Sequence, residues 1–261
     1  MRALSIGATG MLAQQLNVET ISNNIANMNT TSFKRRRAEF QDLLYQNFRR
    51  VGSTSSDAGT VVPAGVQIGA GVRAAAIYRI HEQGNITITD NRLDLAVNGR
   101  GYFEITLPDG TSAYTRAGAF QLNDQGQIVT VDGFTLAGPG SIPQDAVDIT
   151  INPSGEVLVK LDGQLQPQNV GGITLTTFIN NNGLEAIGDN LYQPTPASGA
   201  AVVGVPGDPS FGTVLQGALE TSNVNIVSEI TNLITAQRAY EMNSKVIQSA
   251  DTMMGTVTQL R

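Results

Sequence analysis

The chain has 261 residues, enough for one large domain or two modest ones; only 15% are charged, against roughly 25% in an average globular chain, and tryptophan is absent. Its net charge of −6 has the wrong sign for a nucleic-acid binder, and the lack of cysteine excludes a disulfide framework and a thiolate metal site. A surface poor in charge and rich in amides and hydroxyls suits wide contact with neighbours, because little charge must be desolvated there.

No apolar run approaches the roughly 20 residues of a membrane span. Residues Met1 to Ala13 lack the apolar block and small-residue cleavage site of a secretory signal. The expectation is a chain that stays in the cytosol or leaves by a route reading no cleaved signal.

From Arg2 to Asn29, apolar residues fall at Leu4, Ala8, Met11, Val18, Ile21, Ile25 and Met28, with one gap at Gln14 and Gln15. Steps of three and four predict a helix roughly 40 Å long with a stripe close to a coiled-coil seam. The cluster Asn29-Thr30-Thr31-Ser32 ends it. The following run Lys34-Arg35-Arg36-Arg37 reads as a solvated or intersubunit face rather than a nucleic-acid patch. Tyr45, Phe48, Arg49 and Arg50 can pack and pair, and they lead into Gly52 to Gly65, whose Ser, Thr, Gly and Ala predict an extended connector.

Between Val66 and Leu219 the period changes to short strands separated by Gly, Pro, Asn and Asp turns. Alternation marks Asn85–Thr89, Leu93–Val97 and Tyr102–Leu107. Strands are also predicted at Ser112–Arg116, Ile149–Ile151, Val157–Val159 and Ile173–Ile179, and Asn123-Asp124-Gln125-Gly126 predicts a hairpin turn. Thr195 to Gly212, with Pro196, Pro206 and Pro209, reads as a second soft stretch. A second helical stripe closes the chain at Ile230, Leu233, Tyr240, Ile247, Ala250, Met254 and Val257. Gln237 and Asn243 interrupt it, Asn223 or Asn225 can cap its start, and Glu229 suits the positive end of the helix dipole.

The predicted architecture is α+β: long N- and C-terminal helices pairing as a coiled coil, an inserted all-β domain and an extended connector. Residues 1–30 with 224–261 form a helical assembly core, 31–71 a connector and hairpin region, and 72–223 a β-rich outer domain. One helix pair cannot cover both stripes and its own flanks, so the ends are expected to order on assembly. The expected assembly interface comprises Leu4, Met11, Val18, Ile21, Asn24, Ile25 and Asn27 in the first helix. In the second it comprises Ile230, Leu233, Gln237, Tyr240, Ile247 and Met254. No cofactor or catalytic set is expected. His81 is a lone histidine, Gly69-Ala70-Gly71 lacks a βαβ setting, and Asn123–Gly126 lacks the later ligands of a calcium loop.

Several blocks carry a resemblance. Ile21-Ser22-Asn23-Asn24-Ile25-Ala26-Asn27 followed by Thr30-Thr31-Ser32-Phe33-Lys34 resembles the N-terminal signature of bacterial flagellar axial proteins, the rod and hook family. Ser22 stands where that family usually has Ala, and Ser32 where it usually has Gly. Glu220-Thr221-Ser222-Asn223-Val224-Asn225 and Gln237-Arg238-Ala239-Tyr240-Glu241-Met242-Asn243 are similar to its C-terminal blocks. Val97–Phe103 and Tyr114-Thr115-Arg116-Ala117-Gly118-Ala119-Phe120 are similar to central blocks of the hook and longer rod members. Leu43–Gln46, Gly65–Val72 and Gly183–Tyr192 look like the distal rod branch.

The resemblance implies a structural, non-enzymatic subunit of the distal rod. Such subunits form a hollow helical homopolymer that transmits torque to the hook and conducts exported subunits. Implied partners are further copies, proximal rod proteins, the hook protein, the flagellar type III export apparatus and, where an outer membrane exists, the P and L ring proteins; no nucleic acid is implied. The implied location is the basal body, in a rod crossing the periplasm, reached without a cleaved signal peptide. Tyr45, Phe48, Arg49 and Arg50 would begin a rod-stiffening segment running to Pro63. The alternatives are a hook-type or proximal-rod subunit, or a β-rich surface binding module such as an adhesin with helical stalks.

Overall fold

The structure, a computed structural model, describes residues 2–52, 64–164 and 166–259. Residues 53–63 of the expected stiffening segment and the stripe side chain of Val257 lie outside the described residues. The architecture is α+β, with helix α1 (Arg2–Ala26), helix α2 (Ile226–Gln259) and strands between them. Two compact units divide the chain. The helical unit comprises Met1–Ala26, Arg36–Ile80 and Asn225–Arg261; the β unit comprises Asn27–Arg35 and His81–Val224.

In the helical unit, α1 and α2 lie antiparallel. Gly7 faces Ile247, Gly10 faces Asn243, and Asn24 bonds Glu229, so climbing α1 descends α2. By this register roughly the last two turns of α2 extend past Arg2. The seam is narrow because small residues make it. A Cβ on Gly7 would stand 2.9 Å from Ile247 Cγ1, and one on Gly10 would stand 2.8 Å from Asn243 Nδ2. Ala13, Ala236 and Ala250 are buried along the helices. Asn225 caps α2, its side-chain oxygen accepting from the Ser228 N–H at 3.2 Å.

The region expected as a connector and hairpin holds a two-stranded ribbon. Arg36–Asp42 pairs antiparallel with Val72–Arg79, and Tyr45–Arg49 with Val66–Gly69. Bonds from Leu43 N–H to Gly71 O (2.8 Å) and from Ala70 N–H to Leu44 O (3.1 Å) join the two pairs. At about 3.4 Å per residue the ribbon spans roughly 45 Å. Its first half packs along α1, where the Val72 N–H reaches Thr9 Oγ1 at 3.4 Å, and the far half meets α1 through Arg2 and Phe48. The start of the β domain expected at 72 therefore falls inside the helical unit, because Val72–Arg79 takes its ladder partners from Arg36–Asp42.

The β unit is built around the strand Tyr102–Thr106. Ser112–Thr115 pairs along one edge, while Thr135–Leu136 and Leu175–Thr177 share the other. A separate sheet contains Ala146–Ile151, Glu156–Leu161 and Gln168–Gly172. Leu95, Val97, Phe103, Ile105, Phe120, Val157, Val159, Leu175 and Val214 form one core. The predicted hairpin is present: Gln121–Leu122 pairs with Ile128–Val129, and Asn123 Oδ1 accepts from the Gln125 and Gln127 N–H groups. The soft stretch 195–212 holds a strand as well, Val202–Gly204, paired with Leu175–Thr177. Its three residues, bounded by Gly and Pro, are too few to show a period.

Gly118 explains one position in the central block. A Cβ there would lie 1.6 Å from Leu95 O, beside the bond from Leu95 N–H to Gly118 O. Gly118→Ala must push two backbones apart and is expected to lower stability by about 3 kcal/mol. Urea unfolding of the full chain against the wild type measures this, and equal midpoints would contradict the packing argument.

Candidate assembly surface and its buried anchors

Each unit holds a buried polar anchor built from the sequence blocks singled out above. In the helical unit Asn24 is 2% exposed. Its amide brackets the backbone of Arg36: Nδ2 donates to Arg36 O and Oδ1 accepts from the Arg36 N–H, both at 2.8 Å. The same Nδ2 lies 3.2 Å from the buried Glu229 carboxylate of α2. One side chain thus fixes where the ribbon leaves α1 and where α2 lies. An aliphatic residue there would leave the partly buried Arg36 peptide and the buried Glu229 short of partners.

In the β unit Glu220 has a side chain with no exposed surface, held between Lys34 at 2.5 Å and Arg116 at 2.8 Å. The Gly84 N–H donates a third bond to this carboxylate at 2.8 Å. Arg116 spends its other donors on the carbonyls of Val97, Gly99 and Gly101, and Lys34 reaches Glu82 O at 2.9 Å. Residues from the N-terminal, central and C-terminal blocks therefore meet at one carboxylate. Ser32, at φ 56°, keeps the left-handed backbone that a glycine would adopt easily. Its hydroxyl donates to Arg116 O at 2.8 Å and its N–H to Glu220 O at 2.8 Å, which offsets the strain.

This corrects the reading of Lys34–Arg37 as a solvated or intersubunit run. Lys34 is 2% exposed and ion-paired, while Arg37 is exposed. Four adjacent cations in sequence do not reveal that one turns inward, because its counter-ion lies 186 residues away.

Burial pushes the Glu220 carboxyl up, but Arg116 and Lys34 outweigh that and hold it below the ordinary glutamate value. Burial pulls the Lys34 ammonium below its ordinary value, and Glu220 only partly restores it. Removing one partner of a buried ion pair typically costs about 3–5 kcal/mol, since the remaining charge stays buried.

The expected interface residues fall into two sets. Ile21 and Asn24 are buried within the helical unit, and Leu4, Met11, Val18, Ile25, Leu233 and Ile247 are half-buried there. Asn27, in the β unit, is half-buried and accepts from the Thr30 hydroxyl at 3.1 Å. Ile230, Gln237, Tyr240 and Met254 are exposed. Periodicity does not show that the bulkier apolar groups are left outside the α1–α2 seam. At about 100° per residue, Ile226, Val227, Ile230 and Ile234 lie on one flank of α2 in its first half. Met242, Val246 and Met253 lie on the opposite flank in its second half. Ile6 and Leu12 of α1 are exposed too. Exposed apolar surface on two flanks of one helix fits more than one neighbouring helix.

The far half of the ribbon is similarly apolar and open. Leu44, Tyr45, Phe48, Val51, Val66 and Ile68 are exposed, and Arg49 and Arg50 stand beside them. Phe48 has the Arg2 guanidinium 4.4 Å over its ring and is still 59% exposed. His81 Nδ1 lies 3.1 Å from Tyr102 Oη, and no cluster of three or more His, Cys, Asp or Glu occurs among the described residues.

Three family models match: "Flagella basal body rod protein" over residues 4–34, "Flagellar hook protein FlgE/F/G D1 domain" over 96–159, and "Flagellar basal body rod FlgEFG protein C-terminal" over 215–260. The chain is 64% identical to the flagellar basal-body rod protein FlgG of Caulobacter vibrioides, with all of both chains covered. It is 53% identical to that of Agrobacterium fabrum, over 99% of both chains. With that of Bacillus subtilis the identity is 38%, over 100% of this chain and 99% of the relative.

The Glu220 cluster generates a pH prediction. A carboxyl held low in the folded state stabilises above its unfolded pKa, and this stabilisation disappears as pH falls through the folded value. The melting temperature should drop as pH falls below about 4. Glu220→Gln should melt well below the wild type at pH 7 and show a flatter acid limb. A variant with wild-type melting at neutral pH would contradict the role given to this carboxylate.

Proposed function

The chain belongs to the FlgG family of flagellar basal-body rod proteins and is a structural subunit of the distal rod, and from that premise we propose how it assembles and what its surfaces carry. Copies stack helically into a hollow shaft, the two flanks of α2 and the open face of α1 completing their burial against neighbouring helices. The observation supporting this is the division of labour in the helices: small residues at Gly7, Gly10, Ala13, Ala236 and Ala250 allow a close seam within one chain, while Ile226, Val227, Ile230, Ile234, Met242, Val246 and Met253 stay exposed. Burying one such side chain is worth roughly 1.5–3 kcal/mol, so a few per contact, repeated around a tube, supply a strong drive to assemble.

The role is structural rather than catalytic: the shaft transmits torque to the hook and conducts exported subunits. Its partners are further copies, proximal rod proteins, the hook protein, the type III export apparatus and, where an outer membrane is present, the P and L rings. The chain is exported without a cleaved signal and works in a rod crossing the periplasm. The far half of the ribbon braces adjacent subunits, with Tyr45 and Phe48 as apolar anchors and Arg49 and Arg50 as polar clamps. A paired ribbon supports bracing better than a loose connector, because its strands hold these side chains at fixed spacing.

The interface assignment makes two classes of variant distinguishable. Ile230→Asp and Tyr240→Asp place a charge where a neighbour would pack, and should retain wild-type helix content in the isolated subunit while abolishing rods in electron micrographs. Ile247→Asp strikes the seam against Gly7 and should loosen the α1–α2 pair by several kcal/mol as well. Rods of normal length from Ile230→Asp would refute the flank assignment.

The ribbon is tested by removing residues 45–69 and joining Leu44 to Ala70, already a bonded pair, through an Asn-Gly turn. Export and polymerisation should persist, but the rods should bend. Straight rods would assign stiffness to the helices or the β unit.

A further inference from the structure

The Glu220 cluster joins residues separated by 186 and 104 positions, and the order in which they leave an N-terminus-first chain is fixed: Lys34, then Arg116, then Glu220. We infer that Glu220 is a folding lock, so that the β unit stays open until its last strand arrives and then closes in one step.

Several observations converge on this strand. Lys34 and Arg116 are buried when docked, so docking either before Glu220 arrives would bury a cation without its anion. The Ser32 and Arg35 N–H groups and the Phe33 carbonyl also lack their partners until then. The Ser32 N–H donates to Glu220 O, and the Arg35 N–H to Asn223 Oδ1. Phe33 O accepts from the Asn223 N–H. On the opposite side, Ile86–Ile88 pairs with Ala218–Glu220, and Gly84 N–H donates to the Glu220 carboxylate. Asp94 O, at the threshold of the core strand Leu95–Asn98, accepts from the Gly217 N–H. The N-terminal segment, the entry to the core and Arg116 thus all await residues 217–223. Among the described residues, no carboxylate nearer in sequence pairs with either cation.

The lock suits a subunit delivered unfolded and N-terminus first, and that benefit rests on the proposed export; the folding order itself does not. A chain that closes early would present a folded body while its C-terminal helix was still in transit.

Refolding of the full chain from denaturant, followed by pulsed hydrogen exchange, tests the order. Core amides of Phe103 and Ile105 should gain protection in the same phase as Leu219; protection of the core in a phase at least tenfold faster would overturn the lock. Glu220→Gln should slow the joint phase at least tenfold, whereas Glu229→Gln, at a buried carboxylate of the helical unit, should leave it unchanged. If Glu220→Gln does not fold, the double variant Lys34→Met with Glu220→Gln, which removes one of the two unpaired cations, should recover protection. Equal failure of single and double variants would show that the loss is not one of charge and would overturn the proposal. Wild-type export of a chain with a normal joint phase through a route accepting folded subunits would remove the export rationale and leave the lock standing.

Discussion

A carboxylate without exposed surface, Glu220, compensates two buried cations, one from the N-terminal block and one from the central block of the chain. Such a cluster contributes little net stability beyond what an apolar replacement of the whole would give, because desolvating three charges offsets most of their attraction. Its effect is specificity. With Lys34, Arg116 and Glu220 docked, residues 27–35 and 220–224 can run through the β unit in only one arrangement. The hydroxyl of Ser32, the amide of Asn223 and the donors of Arg116 then satisfy the backbone around them. The β unit is consequently not an insert that could be cut free at 72: that end omits Lys34 and the Ser32 bonds, and leaves Glu220 with Arg116 alone.

The helical unit applies the opposite chemistry. Close approach through Gly7, Gly10, Ala236 and Ala250 buries little apolar area, so the α1–α2 pair alone is a weak structure. Asn24 supplies the registration that the shallow seam lacks, tying α1 to Arg36 and Glu229 at one level. Weak internal packing with bulky groups outside is a poor design for a monomer and a sound one for a polymer. In the proposed assembly the apolar energy is realised only when neighbours are present, and the internal seam fixes the helices in the form that neighbours would meet.

Low charge serves both arrangements. Along the ribbon, exposed Leu44, Tyr45, Phe48 and Val66 would endanger a solitary chain, since an open two-stranded ribbon with apolar faces invites further pairing. In the proposed stack the same property would favour contact, and the sparse arginines would give it direction.

Sequence alone determined the class of structure and of function. Two stripes of period three to four without proline dictate helices at the ends, because no other conformation places Leu4, Met11, Ile21 and Ile25 on one side. Alternation and turn residues dictate strands between them, and the ordered blocks pointed to the axial family. Sequence could not decide which face of each helix turns inward. Periodicity reports that a face is apolar, not what covers it, and here the closest contacts fall to glycine and alanine, which carry little hydrophobic signal. Nor could it show that the Gly- and Ser-rich connector is flanked by a ribbon, since pairing between 36–49 and 66–79 is a relation between segments and not a property of either. The inward turn of Lys34 was hidden for the same reason. A charge is buried only where its partner is, and Glu220 reaches it solely through the tertiary fold.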